Sequence, residues 1–187
     1  MILTDREINS ALDNKQIDID PRPSPDAFSS TSVDLTLSTE VRVWSMTDQA
    51  GVEPNVFCPG TDGFKVLDVV TKYSKVQVLG ETGLIMKPGD FLLAWTKEHV
   101  ELPNHSRFGA RVEGKSSLAR LGIGVHLTAP TIHAGFKGTI QLEMCNHGTL
   151  HVRIIPGMRI CQLIIETTLG TPEKGYRGQF QNQTSGA

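Results

Sequence analysis

The chain has 187 residues, enough for one domain with a sizeable core, and its 39% apolar and 20% charged residues mark a globular rather than a disordered polypeptide. A formal net charge of −2 excludes the general basic excess of a non-specific nucleic-acid binder, so a polyanionic ligand needs a local cluster of donors. No run of 18 apolar residues exists to span a membrane, the N-terminal MILTDREINSALDNK is charged too early for a signal peptide, and the widely spaced Cys58, Cys145 and Cys161 fit reduced thiols in a cytoplasmic protein.

The first element in chain order is a helix. Thr4, with Glu7 three residues on, makes a capping box, and Ile8, Ala11 and Leu12 fall on one helical face. Asn14 and the β-branched stretch after it suggest a short element, and the Pro- and Ser-rich stretch 21–32 reads as loop. From there the chain is β-rich. Val33, Leu35 and Leu37 alternate with Asp34, Thr36 and Ser38, as a half-buried strand does, and Val41 and Val43 continue the pattern. Residues 48–63 hold three glycines and two prolines and read as a long excursion or hairpin insertion. Strands are predicted at 74–79, 84–86, 91–96, 139–144, 150–155 and 158–166, separated by turn residues, and one further helix at 116–121. Pro88-Gly89 and Pro156-Gly157 each launch an apolar strand, which is repeated hairpin chemistry. Many short strands at this spacing argue for a sandwich or a distorted barrel. Residues 175–187 lack apolar periodicity and are either a disordered tail or an arm that orders over a ligand.

Chemistry concentrates in the middle of the chain. Gly114-Lys115-Ser116-Ser117-Leu118-Ala119-Arg120-Leu121-Gly122 joins a glycine, a cation and two hydroxyls at a helix start, a fit for an anion, although a capped helix has the same composition. It is not a Walker loop, because no earlier glycine stands at the required spacing. In Thr139-Ile140-Gln141-Leu142-Glu143-Met144-Cys145-Asn146, period two puts Gln141 and Glu143 on one face, either outward and solvated or turned to a site. The zinc-deaminase pattern, His-x-Glu with Pro-Cys-x-x-Cys, is absent.

Residues 114–146 resemble the signature block of the dCTP deaminases, relatives of the trimeric dUTPases. The Gly114–Gly122 run, Thr128-Ala129 before a turn, Gly135-Phe136-Lys137-Gly138 and the Leu142-Glu143 strand fall in the family's order and spacing. The glycine-led strand at 157–164 and the closing Phe180-Gln181-Asn182-Gln183 resemble later family blocks, so the match covers about 84–183, with a looser likeness before it. The resemblance implies a single, mainly β, dUTPase-like domain over 1–187, a distorted barrel or sandwich. A short N-terminal helix region would lie in 1–20, with one or two further short helices and an arm at 175–187 closing over the site. It implies zinc-independent hydrolysis of dCTP to dUTP and ammonia, supplying dUTP for thymidylate synthesis. Glu143 would be the general acid/base, Ser116 and the Ala129 backbone would position the water, and Arg120 would orient Ser116 and Glu143. Lys115, Ser116 and Ser117 would hold phosphate, with Leu118, Ala119 and His133 also at the substrate. Backbone groups of Gln141 and Glu143 would read the pyrimidine edge, with Leu142 also at the substrate, and Tyr176 and Gln183 would close over sugar and triphosphate. Mg2+ would arrive on the triphosphate, sites would form between subunits of a homotrimer, dTTP would be a feedback inhibitor, and nucleic acid and membrane would not be partners. His126 matches a family position near the site and is equally readable as a satisfied core histidine.

Two positions depart from the family pattern. Lys115 stands where arginine is commoner, keeping the charge without the two-pronged geometry. His133 stands where dUTPases and the bifunctional deaminase–dUTPases carry an aspartate, which argues against dUTP hydrolysis. The alternatives are a bifunctional dCTP deaminase–dUTP diphosphatase, a plain dUTPase, and a catalytically silent nucleotide-binding homologue.

Overall fold

The structure, a computed structural model, describes residues 1–45 and 56–175. The chain opens with α1 (Asp5–Asp13), which buries the Ile8, Ala11 and Leu12 stripe. Thr4 is the N-cap, but its hydroxyl donates to the Glu7 carboxylate instead of accepting a backbone N–H, so the expected box closes side chain to side chain. There follow β1 (Asp18–Asp20), β2 (Phe28–Ser29), β3 (Ser32–Trp44), α2 (Val66–Tyr73), β4 (Ser74–Val78), β5 (Leu84–Met86) and β6 (Phe91–Glu101). The second half holds β7 (Phe108–Gly114), α3 (Ser116–Ala119), β8 (Ile123–Gly124), β9 (Thr131–Ile132), β10 (Lys137–Asn146), β11 (Val152–Ile154) and β12 (Arg159–Thr167).

Among the described residues, ten strands form one antiparallel sheet along the path β8-β10-β6-β3-β12-β7-β9, with β1, β2 and β4 paired off it, while β5 and β11 make a separate pair. The long β3 joins the two halves. Its start pairs with β12 (Val33 opposite Leu163), and its end pairs with β6 (Val41 opposite Ala94) and β4 (Glu40 opposite Val78). Register irregularities fall between Leu37 and Val41 and between Arg159 and Cys161, near the changeover. Such irregularities bend a strand and steepen its twist, which lets one sheet curl around one core. The core takes Val33, Leu35, Leu37 and Val41 from β3, Ile140, Leu142 and Met144 from β10, and Ile160, Leu163 and Ile165 from β12. Each such fully buried aliphatic side chain contributes roughly 1.5–3 kcal/mol.

The expected strands are all present, with shifted ends. The strand expected at 91–96 runs on to Glu101, because Glu98 is buried and its carboxylate accepts from the Thr36 N–H at 2.8 Å and the Thr36 hydroxyl at 2.7 Å. The sequence pattern does not predict β7, β8, β9 or α2, and β2 falls within the stretch 21–32 read as loop. The Phe108, Ala110, Val112 alternation of β7 is masked by Arg111 and Glu113, and α2 buries none of its residues, so no core-facing stripe sets it apart. Both Pro-Gly turns carry their glycine in the left-handed region, Gly89 at φ 84° and Gly157 at φ 78°. Part of the 48–63 excursion (48–55) and residues 176–187 lie outside the described residues. No helix among those described is long and apolar enough to cross a membrane.

Candidate active site

β10 supplies the central pair. Its burial alternates strictly, with Ile140, Leu142 and Met144 in the core and Gln141, Glu143 and Cys145 half-buried on the other face. Leu142 therefore has only backbone groups to offer a ligand, since its side chain is fully buried. The strand is entered from a turn in which Phe136 N–H donates to the His133 carbonyl at 3.0 Å; Gly135, at φ 89°, takes a conformation there that other residues rarely adopt.

A cavity of about 240 Å³ opens over this face, lined among others by His126, Ala129, His133, Gln141 and Glu143. Burial pushes the Glu143 carboxyl above the usual carboxylate range. A hydrogen bond from the Leu127 backbone N–H and the nearby His126 ring act in the opposite sense. A carboxyl whose proton affinity is raised by burial is suited to taking up a proton and passing it on, as general acid–base chemistry requires. His126 is not a satisfied core histidine. Its Nδ1 is buried without a hydrogen-bond partner among the described residues, and its Nε2 stands 3.8 Å from the Glu113 carboxylate.

The cavity gathers Ala129, His133, Gln141 and Glu143 but not the Lys115–Arg120 group, none of which lines it. Helix α3 is shorter than the expected 116–121 and ends at Ala119, with Arg120 as its C-cap. Arg120 N–H donates to the Ser116 carbonyl at 3.1 Å, so the two residues do sit one turn apart as expected. Ser116, Ser117, Ala119 and Arg120 are exposed, while Leu118 packs against the core and anchors the turn. Lys115 is turned the other way. Its Nζ meets Asp34 Oδ1 at 2.5 Å in a largely buried pair, with Arg159 3.7 Å from the other Asp34 oxygen. Tyr176 and Gln183 lie outside the described residues.

Sequence reasoning missed Thr131, Ile132, Phe136 and Val112 as further walls of the cavity, and Asp34 as the partner of Lys115. Asp34 had a visible signal, a carboxylate on the polar side of a half-buried strand. Phe136 stood in the Gly135–Gly138 block, whereas Val112 and Ile132 come together only through the β7–β9 pairing.

A family model described as dCTP deaminase-like matches residues 2–168. A Methanosphaera stadtmanae protein named dCTP deaminase, dUMP-forming, is 37% identical over 175 residues, covering 94% of this chain and 83% of the relative. A Rhodospirillum rubrum protein named dCTP deaminase is 38% identical over 176 residues, covering 94% of this chain and 87% of its own. The crystal structure of 2′-deoxycytidine 5′-triphosphate deaminase from Agrobacterium tumefaciens superposes with a TM-score of 0.66 at 23% identity, covering 89% of this chain and 48% of that longer one.

Proposed function

The chain belongs to the dCTP deaminase-like family, and from that premise we propose that it converts dCTP and water to dUTP and ammonia, with Glu143 moving the protons. The observation that carries this reading is the half-buried Glu143 carboxyl beside Gln141 and the Ala129 backbone in one cavity, its proton affinity raised by burial. Glu143 takes a proton from water as the oxygen bonds to carbon 4 of cytosine. It delivers that proton to ring nitrogen 3, then takes the proton of the new carbon 4 hydroxyl and passes it to the amine, so that ammonia leaves as the carbonyl forms. A water activated by a carboxylate needs no zinc. Magnesium would enter on the triphosphate, keeping several of its waters.

Ser116 and Arg120 are exposed and away from the cavity of their own chain, which supports the reading that they complete the cavity of a neighbouring copy. The assembly would then be a homotrimer with sites between subunits, Ser116 and Ser117 reaching phosphate, and the residues around Tyr176 and Gln183 closing over it. dTTP, which shares the sugar and triphosphate of the substrate, would compete at the same place.

A second reading is favoured by the naming of several relatives as dUMP-forming, including those from Methanosphaera stadtmanae and Thermobifida fusca. A bifunctional enzyme would go on to hydrolyse dUTP to dUMP and pyrophosphate. His133 lines the cavity where the resemblance puts an aspartate, and an imidazole does not reproduce an anionic carboxylate, so the dUTP-forming reading is preferred. The deciding experiment incubates the purified protein with dCTP, dCDP, CTP or dUTP and scores ammonia and pyrophosphate separately. Ammonia from dCTP without pyrophosphate supports the proposal; pyrophosphate from dUTP at a comparable rate selects the bifunctional enzyme; neither product refutes both.

A further inference from the structure

β10 is paired along its length with β6, and the register is specific: Gln141 stands opposite Trp95 and Glu143 opposite Leu93. Directly opposed residues of an antiparallel pair share a sheet face, with Cβ atoms roughly 4.5–5.5 Å apart, and diagonal neighbours at about 7–8 Å remain within reach of an aromatic ring. The register therefore sets Trp95 beside Gln141 and within diagonal reach of Glu143. Trp95 is 0% exposed and Leu93 6%, yet both stand outside the main core, which takes Leu92 and Ala94 from the same strand. By the register they share the sheet face of Gln141 and Glu143, behind the residues that line the cavity. The Trp95 Nε1 is itself buried and has no acceptor among the described residues, which is unusual for an indole in so dry a setting.

A glutamine side chain gives up roughly 1.5–2 kcal/mol of rotamer entropy when fixed, so a reader of the pyrimidine edge works best against a wall that already restricts it. We propose that Trp95 is a positioning residue of the deaminase: it forms that wall, holding Gln141 and, together with Leu93, Glu143 in register against the bound pyrimidine. The proposal deepens the functional reading above and rests on taking the cavity as the base pocket.

The chain has two tryptophans, Trp44 and Trp95. Trp44 stacks on Phe91 with ring centroids 6.2 Å apart, a contact that phenylalanine retains, so Trp44→Phe leaves Trp95 as the sole indole reporter. With Glu143→Gln added to hold dCTP unreacted, titration with dCTP is expected to shift Trp95 emission saturably, and inorganic triphosphate is expected to leave it unchanged. In otherwise unaltered enzyme, Trp95→Phe keeps a rigid aromatic wall and should hold kcat/KM for dCTP within threefold. Trp95→Leu should lower it at least tenfold, mostly in kcat. A tryptophan that merely stabilises the fold would lower the melting temperature but leave its emission indifferent to nucleotide. Emission that stays flat while equilibrium dialysis shows dCTP bound, with Trp95→Leu turning over like the parent, overturns the proposal and leaves the deaminase reading intact. Binding with an emission shift but no ammonia from the parent enzyme sinks the deaminase reading and keeps the Trp95 contact. No dCTP binding at all overturns both.

Discussion

Gly122 and Gly148 fasten the α3 turn to the end of β10, and substituting the first should affect stability and rate together. Gly122 sits at φ 88°, and a Cβ there would meet Gly148 N at 2.2 Å and Gly148 Cα at 2.3 Å. Both are backbone atoms, and ordinary contact begins near 3.4 Å, so Gly122→Ala must open the contact by roughly an ångström. The left-handed conformation alone disfavours alanine by about 1–2 kcal/mol, and displaced backbone on both sides brings the expected loss to about 3–5 kcal/mol. Gly89→Ala is the matched control. That glycine has φ 84° with nothing within 4 Å of its Cβ position, so only the conformational part applies. At about 2–4 °C per kcal/mol for a chain of this size, the control should melt about 2–8 °C below the parent and Gly122→Ala clearly lower still. Gly122→Ala also moves the turn carrying Ser116 and Arg120, and a misplacement near 1 Å can lower turnover about a hundredfold. Thermal melts and ammonia release on the two variants measure this. If Gly122→Ala melts no lower than Gly89→Ala and turns over equally well, the contact is not the rigid fastening the geometry indicates.

Glu143→Gln should lower ammonia release by about 10²–10⁴ with dCTP binding still measurable by dialysis; turnover within tenfold of the parent would remove Glu143 from its role. Because burial raises the folded-state pKa of Glu143, the stability its protonated form contributes is complete below the unfolded pKa and lost as pH rises through the folded one. Glu143→Gln should therefore melt higher than the parent at pH 8 and level with it at pH 4. Lys115→Met breaks the 2.5 Å pair with Asp34 and should destabilise the chain by about 1–3 kcal/mol, seen in urea unfolding; an unchanged midpoint with a raised KM for dCTP would instead assign Lys115 to phosphate. Among the thiols, a Thr61 hydrogen bond lowers the exposed Cys58 and burial raises Cys161 far above the ordinary range, so a thiol reagent at neutral pH should label Cys58 at once and Cys161 only on unfolding.

Much of this was legible along the chain. Period-two patterning located β3, β10 and β12 and put Gln141 and Glu143 on one side of their strand, because alternation is a local property. What escaped was decided by pairing across distance. Glu98 reads as a surface charge until Thr36 is seen to hold its carboxylate. The partner of Lys115, Asp34, lies 81 positions earlier in the chain and is brought to it only by the sheet. Trp95 reads as one more core residue until the β6–β10 register sets it opposite Gln141. The separation of Ser116 and Arg120 from the cavity could not be read either, since it depends on which way a four-residue helix faces once Leu118 is anchored.

Ile140, Leu142 and Met144 fill the interior from the same strand that presents Gln141 and Glu143, so neighbouring side chains with opposite duties are separated by a single peptide unit. A methyl group added or lost at 140, 142 or 144 disturbs close-packed neighbours, and the same peptide units carry the side chains of Gln141 and Glu143. Variation deep in this interior should therefore register twice, as lost stability of about 0.5–1.5 kcal/mol for a buried methyl removed and, on the proposed role of Glu143, as a change in turnover.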